Sequence, residues 1–145
     1  AFAAPIRNVA TGWARIADPD AAPPEHREAI RRIANAMGNA PFMVSGTGGL
    51  NTILMEVTKG RIVSKDGAEG VSCMGLRDHG LGVTIKVEDG SFRAHGVIVR
   101  EVLRHLNAIS PEEDAALAAE FSERLESNRD QHVGDIRAAI EWAQA

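Results

Sequence analysis

The sequence predicts an α/β fold in which an antiparallel sheet is flanked by helices. Three observations carry that prediction. Residues 82–88 alternate Val83, Ile85 and Val87 with Thr84, Lys86 and Glu88, the period of a half-buried strand. Two more short β-rich runs, 61–65 and 70–76, precede it, and the set is punctuated by Asp66-Gly67, Asp78-His79-Gly80 and Asp89-Gly90. Short turns of this kind make antiparallel neighbours the simplest topology. On both sides of this stretch, 60–90, apolar residues recur at helical spacing instead.

Taken in order, residues 5–17 place Ile6, Val9, Ala10, Trp13 and Ile16 on one helical face, with Pro5 suited to the first turn. Asp18-Pro19-Asp20 ends that helix and Pro23-Pro24 opens the next. Over 25–37, Ile30, Ile33, Ala34 and Met37 form a stripe opposite His26, Arg27, Arg31 and Arg32, with Gly38 as the stop. Pro41-Phe42-Met43-Val44 reads as an extended apolar piece leading into Ser45-Gly46-Thr47-Gly48-Gly49, then a short helix from Asn51 or Thr52 to Thr58. The glycine-rich loop either binds an anion through backbone N–H groups or is a tight turn with a cap. Its spacing completes neither a dinucleotide fingerprint nor a P-loop.

After the three strands, Ser91 is placed to cap a helix over 92–106, with Phe92, Val99, Val102, Leu103 and Leu106 as its stripe. Ser110-Pro111-Glu112-Glu113 has the form of a capping box with proline at the first helical position. Leu117, Ala118, Phe121 and Leu125 then face inward, and Asn128-Arg129-Asp130 breaks the helix. The tail reads as a strand within 131–137 followed by a short helix.

The chain's 145 residues fit one domain, and 44% hydrophobic with 25% charged residues is ordinary for a soluble globular protein. A net charge of −4 without a basic patch argues against nucleic acid as a partner. No apolar run approaches the ~20 residues that span a bilayer. The single cysteine, Cys73, excludes an internal disulfide and suits a reducing cytoplasm. The start AFAAPIRN reads as an internal position of a longer polypeptide or a product of processing.

The candidate chemistry lies in the strands. Lys59, Lys65 and Lys86 are the only lysines, and none has a serine three residues before it, so Ser-x-x-Lys does not occur. The histidines at 26, 79, 95, 105 and 132 show no metal-ligand spacing, and no nucleophile elbow is visible. Lys65, before Asp66-Gly67, either lends positive charge to a nucleophile or substrate carboxylate, or is a solvated lysine guarding the sheet edge. Lys86 shares a face with Thr84 and Glu88 that is either solvent or a cleft. Cys73 is either a small buried hydrophobe or a ligand or nucleophile. Glu69, between Ala68 and Gly70, suggests close backbone approach or a carboxylate held by main-chain donors.

The runs PFMVSGTGGLNTILM (41–55), VSKDGAEGVSCMGL (63–76) and HGLGVTIKVEDGSFRA (79–94) resemble the C-terminal part of the L-asparaginase II family of rhizobial type, from Pro5 through the tail. The resemblance implies a fold similar to serine β-lactamases and glutaminases. It implies hydrolysis of L-asparagine to L-aspartate and ammonia through a serine acyl-enzyme, with the nucleophile in an N-terminal part not represented here. Lys86 then resembles the lysine paired with a second catalytic serine. Lys65-Asp66-Gly67 resembles the Lys-Thr-Gly strand motif of the penicillin-recognising fold, with Asp66 in place of the usual hydroxyl residue. Cys73 resembles a zinc ligand, which makes zinc a candidate cofactor. The expectation is one domain, 1–145, inactive alone, with the remaining part of the same protein or a second copy as partner. Two alternatives stay open: a non-catalytic binding domain that keeps the fold, and an amidohydrolase acting on glutamine.

Overall fold

The computed structural model of the chain describes residues 3–121 and 124–143. In them α1 (Ile6–Ala17), a 3₁₀ turn (Pro19–Ala21), α2 (Pro24–Asn39), α3 (Phe42–Ser45) and α4 (Leu50–Val57) precede the strands β1 (Ile62–Gly67), β2 (Val71–Leu76) and β3 (Leu81–Lys86). Then come α5 (His95–His105), α6 (Pro111–Glu120) and a hairpin of β4 (Arg124–Glu126) and β5 (His132–Asp135). β1, β2 and β3 form an antiparallel sheet in sequence order, with Ile62 opposite Leu76, Lys65 opposite Cys73 and Cys73 opposite Thr84. The expected α/β class, an antiparallel sheet flanked by helices, is what forms.

The two faces of the sheet are covered by different means. One face presents Ile62, Met74 and Leu76 to Leu54 of α4, Val99 and Leu103 of α5, and Leu117 and Phe121, all buried. Val83 and Ile85 of β3 pack against the same cluster. Six of the fully buried side chains, Leu54, Ile62, Leu76, Val99, Leu103 and Leu117, are aliphatic, and each contributes about 1.5–3 kcal/mol. On the other face α1 crosses at the cross-strand pair Gly75 and Gly82. A Cβ built on Gly82 would lie 1.9 Å from the Ala10 carbonyl oxygen and 2.3 Å from the Ala14 nitrogen. The paired glycines therefore remove the side chains that would hold the helix backbone off the sheet.

Local chemistry explains the helix ends. Ser110 accepts from the Glu113 N–H at 3.2 Å while Glu113 accepts from the Ser110 N–H at 2.9 Å, so the expected capping box forms in full. At α5 the expected start fails. Ser91 Oγ accepts from the Arg93 N–H and Asp89 Oδ1 from the Ser91 N–H, two local turns that use up the presumed cap, and α5 begins at His95. Phe92 is accordingly exposed rather than part of the stripe.

Other expectations are corrected. Residues 42–45 form a helical turn, because Pro41 is itself in the helical region at φ −54° and ψ −40°. α2 runs through Gly38 to Asn39, and Gly38 instead lets the Gly60 backbone approach to 3.3 Å of its Cβ position. Of the α2 stripe, Ala34 is buried and Ile33 is 53% exposed. α6 stops at Glu120, Leu125 lies exposed on β4, and residues 128–130 belong to the β4–β5 turn. The strand expected in the tail is present as β5, but 136–143 form no helix. That segment instead brings Trp142 onto His105, with rings stacked 3.7 Å apart.

Candidate functional site

The edge strand β1 and the glycine loop before α4 build a polar cluster around Lys65. Lys65 Nζ donates to the Asp66 carbonyl at 2.9 Å and to Asp66 Oδ1 at 2.5 Å. The same carboxylate oxygen accepts from Asn51 Nδ2 at 2.7 Å, and Asn51 Nδ2 also reaches Ser45 Oγ at 3.3 Å. Burial alone would push the Asp66 carboxyl up. The bonds from Lys65 and Asn51 outweigh it and hold the group below its ordinary value, as a carboxylate. Asn51 is 1% exposed whereas the Lys65 side chain is 49% exposed, so the cluster has a fixed base and an open tip.

The loop Ser45-Gly46-Thr47-Gly48-Gly49 owes its glycines to this cluster. Gly46 and Gly48 take φ of +72° and +69°, a region that side chains disfavour. A Cβ on Gly49 would meet Ser45 Oγ at 2.4 Å. The loop thus folds back on Ser45 and delivers Asn51, in the first turn of α4, to Asp66.

Lys86 occupies the opposite edge strand. It shares the α1-facing side of the sheet with Lys65, Cys73 and Thr84, but lies two strands and one row away. Strand spacing puts the two lysine Cα atoms roughly 12 Å apart. Lys86 Nζ donates to the Glu69 and Val87 carbonyls, each at 2.6 Å. Those bonds pin the β1–β2 turn, where Glu69 takes φ +59° and Gly70 +69°. A Cβ on Gly90 would meet Glu69 Oε2 at 2.9 Å, which is the close backbone approach expected around this carboxylate.

Cys73 is a free thiol, 5% exposed, between the sheet and α1. Its Sγ accepts from Thr84 Oγ1 at 3.7 Å. Burial pushes the thiol up, against the smaller opposing pull of hydrogen bonds from Thr84 and Trp13. Metal ligation requires a thiolate, and among the described residues no three His, Cys, Asp or Glu side chains gather as a metal site. The residues present do not by themselves fit a zinc centre. Cys73 and Lys86 also do not open onto one cleft, since the first is buried and the second exposed.

Sequence reasoning missed Asn51 and the pair Ser72 and His95. Ser72 Oγ lies 3.1 Å from His95 Nδ1, and both residues are buried. The available signal was polarity at core-facing positions. Ser64, Asp66 and Ser72 occupy strand positions whose neighbours on the same face are Ile62 and Met74.

Among the described residues no helix is long and apolar enough to cross a membrane. A family model described as L-asparaginase II matches residues 1–138, nearly the whole chain. Comparison with curated proteins finds no match.

Proposed function

The chain belongs to the L-asparaginase II family, and we propose that the Lys65 edge forms one wall of an amide-hydrolysing cleft. Membership implies an asparaginase-like amidohydrolase at family level. The finer reading is hydrolysis of the side-chain amide of L-asparagine. A serine oxygen attacks the amide carbon, the C–N bond breaks, and the amide nitrogen takes up the proton given up by the hydroxyl and leaves as ammonia. Water then releases L-aspartate from the ester. The sequence holds no Ser-x-x-Lys pair, so this reading draws the nucleophile from outside these 145 residues.

The single observation that supports Lys65 is its mounting. A half-exposed ammonium stands on the half-buried Asp66 carboxylate, which buried Asn51 fixes at a sheet edge, and its charge can be offered there to a nucleophile or a substrate carboxylate. Lys86 is the second lysine of the proposed wall. Its bonds to two carbonyls suit it to holding the β1–β2 turn beside Lys65, and a direct catalytic part would require leaving them. No step is assigned to zinc.

Ammonia release from L-asparagine and L-glutamine tests the reading. The 145-residue chain alone is expected to release none from either, and turnover comparable to a complete enzyme would refute the external nucleophile. In an active protein carrying this segment, Lys65→Met is expected to lower kcat by about 10²-fold or more. A second reading, a non-catalytic interaction domain, is favoured by the closed packing around Cys73. Unchanged turnover in Lys65→Met would support it.

A further inference from the structure

The core-facing side of β1 and β2 changes character along its length. At one end it carries Ile62, Met74 and Leu76; at the other Ser64 and Asp66 on β1 meet Ser72 on β2, with Asp66 directly opposite Ser72. Two helices deliver further polar groups to that end. Asn51, in the first turn of α4, bonds Asp66, and His95, the first residue of α5, lies against Ser72. Asn51, Ser64 and His95 are each 1% exposed, and Ser72 is 2% exposed. Asn51 Oδ1, Ser64 Oγ and His95 Nε2 are fully buried, and none has a protein partner.

A buried polar atom left without a hydrogen bond costs about 1–3 kcal/mol, so three such atoms on neighbouring residues call for a partner. Their chemistry narrows the occupant. The Asn51 amide oxygen accepts only, the Ser64 hydroxyl both donates and accepts, and the imidazole nitrogen does either according to tautomer. Asp66, the one carboxylate of the cluster, already receives Lys65 and Asn51, so no cation is called for. A small neutral molecule that both donates and accepts fits; an apolar one would leave all three atoms unpaired. We propose that Asn51, Ser64 and His95 enclose a binding site for ordered internal water. That water joins the N-termini of α4 and α5 to the strand that carries Lys65.

The sign of one substitution decides the matter. If Ser64 Oγ bonds internal water, Ser64→Ala removes a hydrogen bond and lowers the thermal unfolding midpoint by about 2–4 °C. If the hydroxyl is dry and unpaired, the same change removes a buried polar penalty, and an unchanged or raised midpoint overturns the proposal. A high-resolution crystal structure provides the second measurement. Solvent density within about 2.7–3.2 Å of at least two of the three atoms is expected. Density showing no solvent there, or all three atoms paired directly to protein groups, overturns it.

Discussion

Replacing Gly82 with alanine tests the contact that positions α1, and with it the cover over Cys73 and Thr84. The new Cβ would lie 1.9 Å from the Ala10 oxygen, 2.3 Å from the Ala14 nitrogen and 2.8 Å from the Trp13 carbonyl carbon. All three are backbone atoms, so no side-chain rotation relieves the clash and α1 must retreat by more than an ångström. Overpacking costs typically 1–3 kcal/mol where side chains can adjust; here at least about 3 kcal/mol is expected. For a domain of this size that lowers the unfolding midpoint by roughly 10 °C. Two sibling substitutions calibrate the result. Gly75→Ala meets the Trp13 oxygen at 3.1 Å and should cost less. Gly12→Ala, on α1 with nothing within 4 Å, should stabilise by about 0.5–1 kcal/mol through helix propensity. Thermal melts of the three variants check the order. If Gly82→Ala melts no lower than Gly12→Ala, α1 does not cross the sheet at the glycine pair.

Two further predictions follow from titratable groups. Burial alone would raise the Glu113 carboxyl, but hydrogen bonds from Arg61, at 2.6 and 2.7 Å, and from the Ser110 N–H hold it below its ordinary value. A depressed folded pKa contributes stability above the unfolded value of about 4.3, and that contribution is lost as pH falls through the folded value. Glu113→Gln, which keeps the capping box, should therefore be less stable than the parent by on the order of 1 kcal/mol at pH 7. The gap should close in urea titrations below about pH 4, and a deficit equally large at pH 3 would contradict the assignment. The buried Cys73 thiol, raised by burial, should react with a thiol reagent at least roughly tenfold more slowly in the native protein than in denaturant. Equal rates would show that α1 leaves it open.

What the sequence made legible was what local chemistry decides. The box Ser110-Pro111-Glu112-Glu113 lies within one turn and folds as read. The three strands, with turns at glycine, have bounds within two residues of those expected. Errors arose where a local rule had two outcomes. Ser91 can cap a helix or a turn, and Asp89 two residues earlier settled it in favour of turns. Gly38 can stop a helix or admit a neighbour, and Gly60, distant in sequence, made it the second. The same holds at the candidate site. Lys65 and Lys86 look alike in a strand pattern, each near the C-terminal end of a strand that leads to an Asp-Gly turn. Only the register and the polar partners separate them: Lys65 bonds Asp66, which α4 holds through Asn51, whereas Lys86 bonds the backbone of a turn and of its own strand end.

That separation bears on how a lysine can serve an amide-hydrolysing cleft. An ammonium bonded to two carbonyl oxygens is balanced by neutral dipoles whose withdrawal would leave the Glu69 turn, already at positive φ, without its clamp. Moving Lys86 therefore disturbs the fold. Lys65 is different, because both of its bonds are to its own neighbour Asp66, and Asp66 keeps the Asn51 bond when Lys65 swings away. Lys65 can accordingly exchange its partner for a substrate carboxylate or a nucleophile while its base stays in place. The buried amide of Asn51 makes that exchange reversible, since it holds the Asp66 oxygen at a fixed position to which the ammonium returns. The sheet edge thus combines one mobile charge with an immobile counter-charge, and the residue that fixes the latter is not itself ionisable.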